Sequence, residues 1–432
     1  MFLENNVKSI FQFDVEMTEL VKSEEQRQRS TINLIASENY ASSLATGLEG
    51  SIFANKQCEG YPGKRFAAGC EIADKVEKLA IERLKELFGC EHANIQSMSA
   101  TIANVAVMNA VLKPGDTILS MDLAHGGHLS HGAKFHLSGK MYNVIYYGVD
   151  PKTEQIDLMK VSELAKEHKP KLIICGASSY PRLIDYVKFS KIAKSVGALL
   201  LADIAHRVGL IVAGVIPSPV PYADIVTTST HKTWRGPRGC GIILCKKELA
   251  KKIDRSVFPG LQGAPKFDMI AARAVHIKET MTEEFKRYGA QVLLNAKALE
   301  KVLVKNRLRL ISGGTDTHLI LIDVRQQVFS GALAEKVLES VSLITNKNMI
   351  PFDPNPSTLT SGIRLGTPAL TTRGMKEKEM WLIGNWVARA LKNYSNEKVL
   401  EEIHNQVVKL ADSYPLFSDE WLPQNLYYKK CL

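Results

Sequence analysis

The stretch Ile225-Val-Thr-Thr-Ser-Thr-His-Lys-Thr-Trp-Arg-Gly-Pro-Arg238 joins a β-branched run to a turn rich in glycine, proline and arginine. Its first half predicts a buried strand, and its second half an irregular loop that receives His231 and Lys232 at the strand's end. α/β proteins present reactive side chains at such ends, and a lysine held there can condense with an aldehyde to a Schiff base. Alone, the dipeptide fits a solvated surface lysine equally well, so the rest of the chain has to decide.

Working outward, apolar runs at 117–121, 172–175, 198–203, 225–228 and 241–244 alternate with helical stretches. That alternation predicts an α/β fold: a mostly parallel sheet with helices on both faces. Residues 74–88 read as an amphipathic helix with Val76, Leu79, Ala80 and Leu87 on its core face and Gly89 as its stop. A long helical segment over 265–306 leads away from the sheet. Beyond it, strand patterns at 319–324 and 363–366 and helical ones at 331–341, 377–391 and 397–409 fit a smaller α/β domain. The expected organisation is an N-terminal arm over 1–31, a large domain over 32–280 and a small C-terminal domain over 281–432, the two domains sharing the site.

Composition bounds the function. A chain of 432 residues with 45% hydrophobic and 23% charged residues can build a large core and carries no disorder signature. No apolar run of about 18 residues or more occurs, and the start Met1-Phe-Leu-Glu-Asn-Asn has no basic segment followed by a hydrophobic one, so no membrane association and a cytoplasmic location are expected. The net charge of +10 comes from scattered lysines and arginines, which favours small anionic ligands over nucleic acid. Seven cysteines, Cys58, Cys70, Cys90, Cys175, Cys240, Cys245 and Cys431, form no CxxC pair and suit reduced packing roles.

If Lys232 holds pyridoxal phosphate, the chain must also supply an acid for the ring nitrogen, an anion cradle, a flat group over the ring and a cation for an amino-acid carboxylate. Leu199-Leu-Leu-Ala-Asp-Ile-Ala-His206 ends a buried strand in Asp203, which either keeps a pyridinium protonated or caps a helix. Gln96-Ser-Met-Ser-Ala-Thr-Ile-Ala-Asn104 opens a helix, where Ser99 and Thr101 either bind phosphate or merely cap. His125, in Leu123-Ala-His-Gly-Gly-His-Leu-Ser-His-Gly132, can stack on the ring. Its three clustered histidines also suit a metal, but no HExxH helix or cysteine pair accompanies them, and no metal is assigned. Arg364, in Ser361-Gly-Ile-Arg-Leu-Gly-Thr-Pro368, fits a carboxylate clamp better than a structural ion pair.

These motifs, together with Ile32-Asn-Leu-Ile-Ala-Ser-Glu-Asn39, Glu59-Gly-Tyr-Pro-Gly-Lys-Arg65 and Thr367-Pro-Ala-Leu-Thr-Thr-Arg-Gly374, resemble the serine hydroxymethyltransferase family over most of the chain. The resemblance implies fold type I of the pyridoxal-phosphate enzymes, aspartate aminotransferase-like, and serine–glycine interconversion with tetrahydrofolate as co-substrate. It implies that Lys232 carries the cofactor, Asp203 pairs with its ring nitrogen, and His125 stacks on it. His206, Ser178 and His231 join the cofactor set, and Ser99, Ala100 and Thr101, with Gly263 of a second subunit, hold the phosphate. Arg364 and Ser37 bind the amino acid. Glu59 is the acid/base and also borders the substrate, and Ser229 belongs to the catalytic group. Phe66, Leu123, Gly126, Gly127 and Asn348 line the folate pocket. A homodimer, or a tetramer, with composite sites follows, because Glu59 and Gly263 act across subunits.

Departures from the family pattern cluster within its signatures. Gln57 and Ala67 stand where the family usually has tyrosines, Ala100 replaces a glycine, Ser229 a threonine, Arg207 an aliphatic residue and Trp234 a smaller apolar one. The lost tyrosines put folate-dependent turnover in question more than cofactor binding. Two other readings follow: a folate-independent aldolase or transaldolase acting on threonine-like amino acids, and a catalytically weak homologue that regulates an active paralogue.

Overall fold

The computed structural model describes residues 13–416. The strands of the main sheet are His92–Asn94 (β1), Thr117–Met121 (β2), Asn143–Tyr147 (β3), Leu172–Gly176 (β4), Leu199–Asp203 (β5), Ile225–Ser229 (β6) and Gly241–Cys245 (β7). They lie in the order β1-β7-β6-β5-β4-β2-β3. Every pair is parallel except those made by β7, which runs antiparallel to β1 and β6.

Period-two alternation explains why the inner strands read as continuous apolar runs. Ile173 and Cys175 of β4 enter one core, with Val161 and Phe189 from covering helices. Leu172 and Ile174 enter the opposite core, with Ala103, Val107 and Ile253. A strand buried on both faces has no polar side to show. The edge strands β1 and β3 are absent from the sequence reading because one is short and polar and the other half-exposed.

Glu71–Phe88 (α1) begins three residues earlier than expected and stops at Gly89, whose φ of 63° is the left-handed conformation that favours glycine. Its buried line is Ala73, Glu77, Ala80 and Leu84, whereas Leu79, expected in the core, is 42% exposed. Glu77 caused the misreading. A carboxylate sits at a core position because Arg65 Nη2, at 2.5 Å, and Gln96 Nε2, at 2.7 Å, satisfy it.

Ala100–Val111 (α2) follows β1. The single helix expected over 265–306 is two, Phe267–Thr280 (α3) and Glu283–Lys305 (α4). Thr282 starts the second by accepting the Phe285 N–H on its Oγ1 at 3.3 Å. A second sheet, of Arg309–Leu310 (β8), Leu319–Asp323 (β9), Asn346–Asn348 (β10) and Gly362–Gly366 (β11), runs in the order β8-β9-β11-β10 with antiparallel pairs throughout. Helices Gly331–Ser340, Glu377–Lys392 and Glu397–Ser413 share a separate core with it, built on Ile322, Ile363, Leu365, Val387 and Ile403.

The six described cysteines are buried and free. Burial pushes the Cys58 thiol up to about 11, which removes the thiolate that reactivity beside Glu59 would need. Of the arm expected over 1–31, the described part is the helix Val15–Ser30, while residues 1–12, the segment from Trp421 onward and Cys431 lie outside the described residues. No helix among the described residues is long and apolar enough to cross a membrane.

Candidate active site

The carboxyl ends of β4, β5 and β6 deliver Ser178, Asp203 with His206, and His231 with Lys232 to one edge of the main sheet, and β11 brings Arg364 to meet them. The loop after β6 is pinned on several sides. Asn39 Nδ2 donates to the Lys232 carbonyl at 2.8 Å, Thr233 Oγ1 donates to the His206 carbonyl at 2.9 Å, and Thr230 Oγ1 donates to that of Pro237. Arg235 turns the chain through a left-handed φ of 60°.

Lys232 is half-buried, and its Nζ has no hydrogen bond or ion pair among the described residues. Desolvation, countered by the Asp203 carboxylate but reinforced by Arg364 and Arg238, brings its amine down to about 8. The lysine therefore destabilises the cofactor-free fold, with a definite sign. Between the folded value of about 8 and the ordinary 10.5 the unfolded chain binds more protons, so the penalty is full below pH 8 and gone above 10.5. Cofactor-free Lys232→Met is expected to exceed the parent in stability at pH 7 by roughly 3 kcal/mol, the gap closing as pH rises through that window. Paired urea titrations at pH 7 and pH 10 measure it, and a gap independent of pH would rule the explanation out.

Asp203 sits at the end of β5, with its orientation set by its partners. Oδ2 accepts from Asn104 Nδ2 at 2.8 Å and His131 Nε2 at 2.9 Å, and Oδ1 accepts from Ala205 N at 3.0 Å. A carboxylate oxygen takes about two such bonds, so the remaining acceptor position is on Oδ1. Asn104 cannot turn over, because its Oδ1 accepts from Thr227 Oγ1 at 2.6 Å while its Nδ2 also reaches Ser130 Oγ at 2.9 Å. Burial alone would raise the Asp203 pKa, but the His131 hydrogen bond, the neighbouring imidazole charges and Asn104 outweigh it and hold the group ionised.

The anion cradle is the start of α2. Ser99 is its N-cap, accepting the Ile102 N–H on Oγ at 3.1 Å, while Ala100 and Thr101 open the helix with N–H groups that have no intrahelical acceptor. Ala100 is helical, so a methyl group in place of a glycine hydrogen brings no backbone strain. The loop lies against β7 so closely that a Cβ at Gly241 would stand 2.2 Å from the Ser99 carbonyl oxygen. Ser229 Oγ and His231 Nδ1 are buried without partners. A lone lysine amine, an ionised carboxylate with one acceptor position left, a helix start and two unsatisfied polar atoms suit an aldehyde-bearing pyridine phosphate.

Arg364 is buried in β11 and meets no carboxylate among the described residues. It donates to the Ser178 carbonyl at 2.8 Å and Asn346 Oδ1 at 3.2 Å, and reaches Ser37 Oγ at 3.5 Å. Burial brings its pKa down to about 10. Ser178 N in turn donates to the Gly126 carbonyl at 2.8 Å. His125 accepts the Val149 N–H on Nδ1 at 3.1 Å and meets the Phe352 ring edge-on at 4.6 Å. Phe352, 54% exposed and held at a φ of 57°, is an aromatic neighbour that the sequence reading missed. Leu123 is exposed beside this histidine, Gly127 N donates to the Asp122 carbonyl at 2.9 Å, and Asn348 Nδ2 donates to the Met349 carbonyl at 2.6 Å.

Glu59 and Phe66 lie on the turn before α1, where the Phe66 N–H donates to the Glu59 carbonyl at 3.1 Å. A Cβ on Gly263 would lie 3.5 Å from Glu59 Oε1, and Phe66 is 76% exposed with its ring against Phe258. Neither makes a hydrogen bond, ion pair or ring contact with Lys232 among the described residues. Trp234 does not face the site. It is fully buried between Phe88 and His276, with its Nε1 donating to Thr280 Oγ1 at 3.1 Å. Its size therefore adjusts core packing and lends no weight to an altered substrate pocket.

Two further residues were missed as functional candidates: Asn104 and His131. Both lie in strings read for another purpose, Asn104 in the anion loop and His131 in the histidine cluster, and only the fold brings them to Asp203. The histidine cluster separates, His125 going one way while donor atoms of His128, His131 and Asp203 gather within 4.8 Å of one another. His131 donates to Asp203, and His128 Nδ1 meets Ser130 Oγ at 2.7 Å, the hydroxyl that Asn104 also reaches, so hydrogen bonds account for that gathering as support for the carboxylate.

A doubly covered, mostly parallel sheet with a lysine beyond one strand end, an ionised aspartate beyond its neighbour and a helix start for an anion defines an α/β protein of pyridoxal-phosphate fold type I. The family model for serine hydroxymethyltransferase matches residues 10–387. A serine hydroxymethyltransferase of Myxococcus xanthus (strain DK1622) is 50% identical over 413 residues, covering 96% of this chain and 99% of that protein. The chain belongs to the serine hydroxymethyltransferase family and is a hydroxymethyltransferase of that kind.

Proposed function

We propose that this chain holds pyridoxal phosphate on Lys232 and interconverts serine and glycine, exchanging the one-carbon unit with tetrahydrofolate. The observation that carries the reading is the unpartnered, desolvated Lys232 amine in the field of an ionised Asp203 and of Arg364, with the start of α2 packed on the adjoining strand β7. Pyridoxal phosphate bound there supplies an electron sink for breaking and re-forming the bond between the α- and β-carbons of serine.

Arg364 and Ser37 bind the substrate carboxylate, and the bonds from Arg364 to Ser178 and Asn346 fix its guanidinium before substrate arrives. Asp203, whose Oδ1 has an acceptor position left, would hold the ring nitrogen of the cofactor and keep it protonated. Ser99, Ala100, Thr101 and His231 hold the phosphate. His206, Ser178 and Ser229 complete the cofactor and catalytic set, and His125 covers the ring. Leu123, Gly126, Gly127 and Asn348 form the folate side, with Phe66 supplied by a second subunit. Glu59 moves the proton on the substrate oxygen. Its place beside Gly263, without a hydrogen bond or ion pair to its own Lys232 among the described residues, supports a homodimer or tetramer in which both act in the partner's site. A large domain over 32–280, a small one over 281–432 and a cytoplasmic location belong to the same proposal.

Titration of purified protein with glycine, before and after adding tetrahydrofolate, tests the reading through the long-wavelength absorbance of the bound cofactor. A band enhanced by folate supports it. A glycine response that folate does not enhance, with acetaldehyde released from threonine, replaces it with aldolase chemistry. Absence of any cofactor signal favours a regulatory homologue.

Ala67 has no side-chain hydrogen-bonding group where the family usually carries a tyrosine. Ala67→Tyr is therefore expected to raise folate-dependent serine turnover on the order of tenfold while changing folate-independent cleavage much less, as one restored hydrogen bond would. Parallel assays of the two reactions decide it, and equal effects on both would dismiss the missing hydroxyl as the cause.

A further inference from the structure

The segment Ser178-Ser-Tyr-Pro-Arg182 follows β4 of the main sheet and is bonded to the second sheet as well. Its carbonyls are taken one after another by different elements. Arg364 Nη1, on β11, donates to that of Ser178 at 2.8 Å. The Pro181 carbonyl accepts the Asp316 N–H at 3.0 Å, Thr315 Oγ1 at 3.2 Å and Thr317 Oγ1 at 3.3 Å, all just before β9. The Tyr180 and Arg182 carbonyls both accept from Arg207 Nη2, at 2.8 and 3.3 Å.

Arg207 is the departure from the family pattern that stands directly after His206, and it is fully buried. A guanidinium out of water calls for a carboxylate, yet this one meets none among the described residues, and its Nε and Nη1 have no hydrogen-bond partner. Packing does not ask for such a group, because an apolar side chain fills a core position without the penalty of desolvating a charge. The bonds that Arg207 does make, to the two carbonyls, are therefore the informative ones.

We infer that Arg207 is a positioning residue for the amino-acid site: by holding the Tyr180 and Arg182 carbonyls it fixes where the Ser178 carbonyl stands, and through it the guanidinium of Arg364. The inference rests on the proposed function for the role of Arg364. The link is short and stiff. Pro181 has its φ set by its ring, and Tyr180, as the residue before a proline, is restricted too, so a shift at the Tyr180 carbonyl is passed along the chain to Ser178. The Ser178 carbonyl is also the closest anchor of Arg364, whose other contacts, to Asn346 Oδ1 and Ser37 Oγ, are at 3.2 and 3.5 Å.

Serine kinetics and hydrogen exchange test this together. Arg207→Leu is expected to raise KM for serine about tenfold with kcat nearly unchanged, because Arg364 holds the carboxylate alike before and during the reaction. Arg207→Lys, whose ammonium can donate to the same carbonyls, is expected to stay within about threefold of the parent. In an Arg364→Lys background, Arg207→Leu is expected to raise KM by less than about twofold, since the group it positions is gone. A full tenfold rise there overturns the inference, because a charge acting from a distance would persist. In the cofactor-free protein, the amides of 178–183 and 315–318 are expected to exchange faster in Arg207→Leu than in the parent or Arg207→Lys, and unchanged exchange in a folded Arg207→Leu protein overturns the inference whatever the kinetics. Arg207→Met carries the same expectations should the leucine variant not fold. If the parent does not turn over serine at all, the functional reading fails while the exchange still decides what Arg207 holds.

Discussion

Lys232→Arg is expected to lower turnover by about 10⁴-fold or more, the scale on which loss of a covalent group acts, with circular dichroism close to that of the parent. Guanidinium retains the positive charge but cannot condense with an aldehyde, so the substitution separates electrostatics from bond formation. With its amine at about 8, Lys232 is unprotonated in about a tenth of molecules at pH 7, far more than an ordinary lysine would be. Borohydride reduction of the cofactor-loaded parent should fix the label to the peptide containing residue 232, and the arginine variant should take up none there. Label on another lysine would relocate the site, whatever the kinetics.

Asp203→Asn carries the next largest expectation, a fall of about 10²- to 10³-fold in kcat with the protein still folded, comparable to loss of one preorganised charged partner. The amide nearly reproduces the shape of the carboxylate but removes the charge that keeps a proton on the ring nitrogen. Its carbonyl oxygen can take the Asn104 and His131 bonds, at 2.8 and 2.9 Å, only by turning its NH2 onto the Ala205 N–H, at 3.0 Å, that the carboxylate accepted without conflict. Steady-state assays at saturating cofactor measure the effect. An asparagine variant within threefold of the parent would remove the carboxylate from the chemistry.

The inner strands were legible because burial on both faces leaves a simple signal, and strands β2 and β4 to β7 begin or end within a residue of the positions read from the sequence. The edges and breaks were less so. A helix whose buried face includes a paired carboxylate reads one step out of phase, which is why Leu79 was assigned inward and Glu77 was not. The break at Thr282 was hidden because the apolar pattern continues across it, and the capping hydroxyl shows only in three dimensions. Within the site, reactive groups that end strands were visible as residue types in context. Asn104 and His131, which orient Asp203, lie in strings read for the anion loop and the histidine cluster, and nothing local ties them to a carboxylate on another strand.

The tight approach of β7 to the anion loop has a consequence for how this sequence can change. At Gly241 even the step to alanine sets a methyl carbon against the Ser99 carbonyl, with backbone on both sides and no flexible side chain to yield. Drift and directed evolution therefore start with that position closed. Routes to a new anion specificity run through the residues that open α2, where Ala100 already records one change, and a library that randomises Gly241 would spend nearly all of that position's diversity on chains unable to form the cradle.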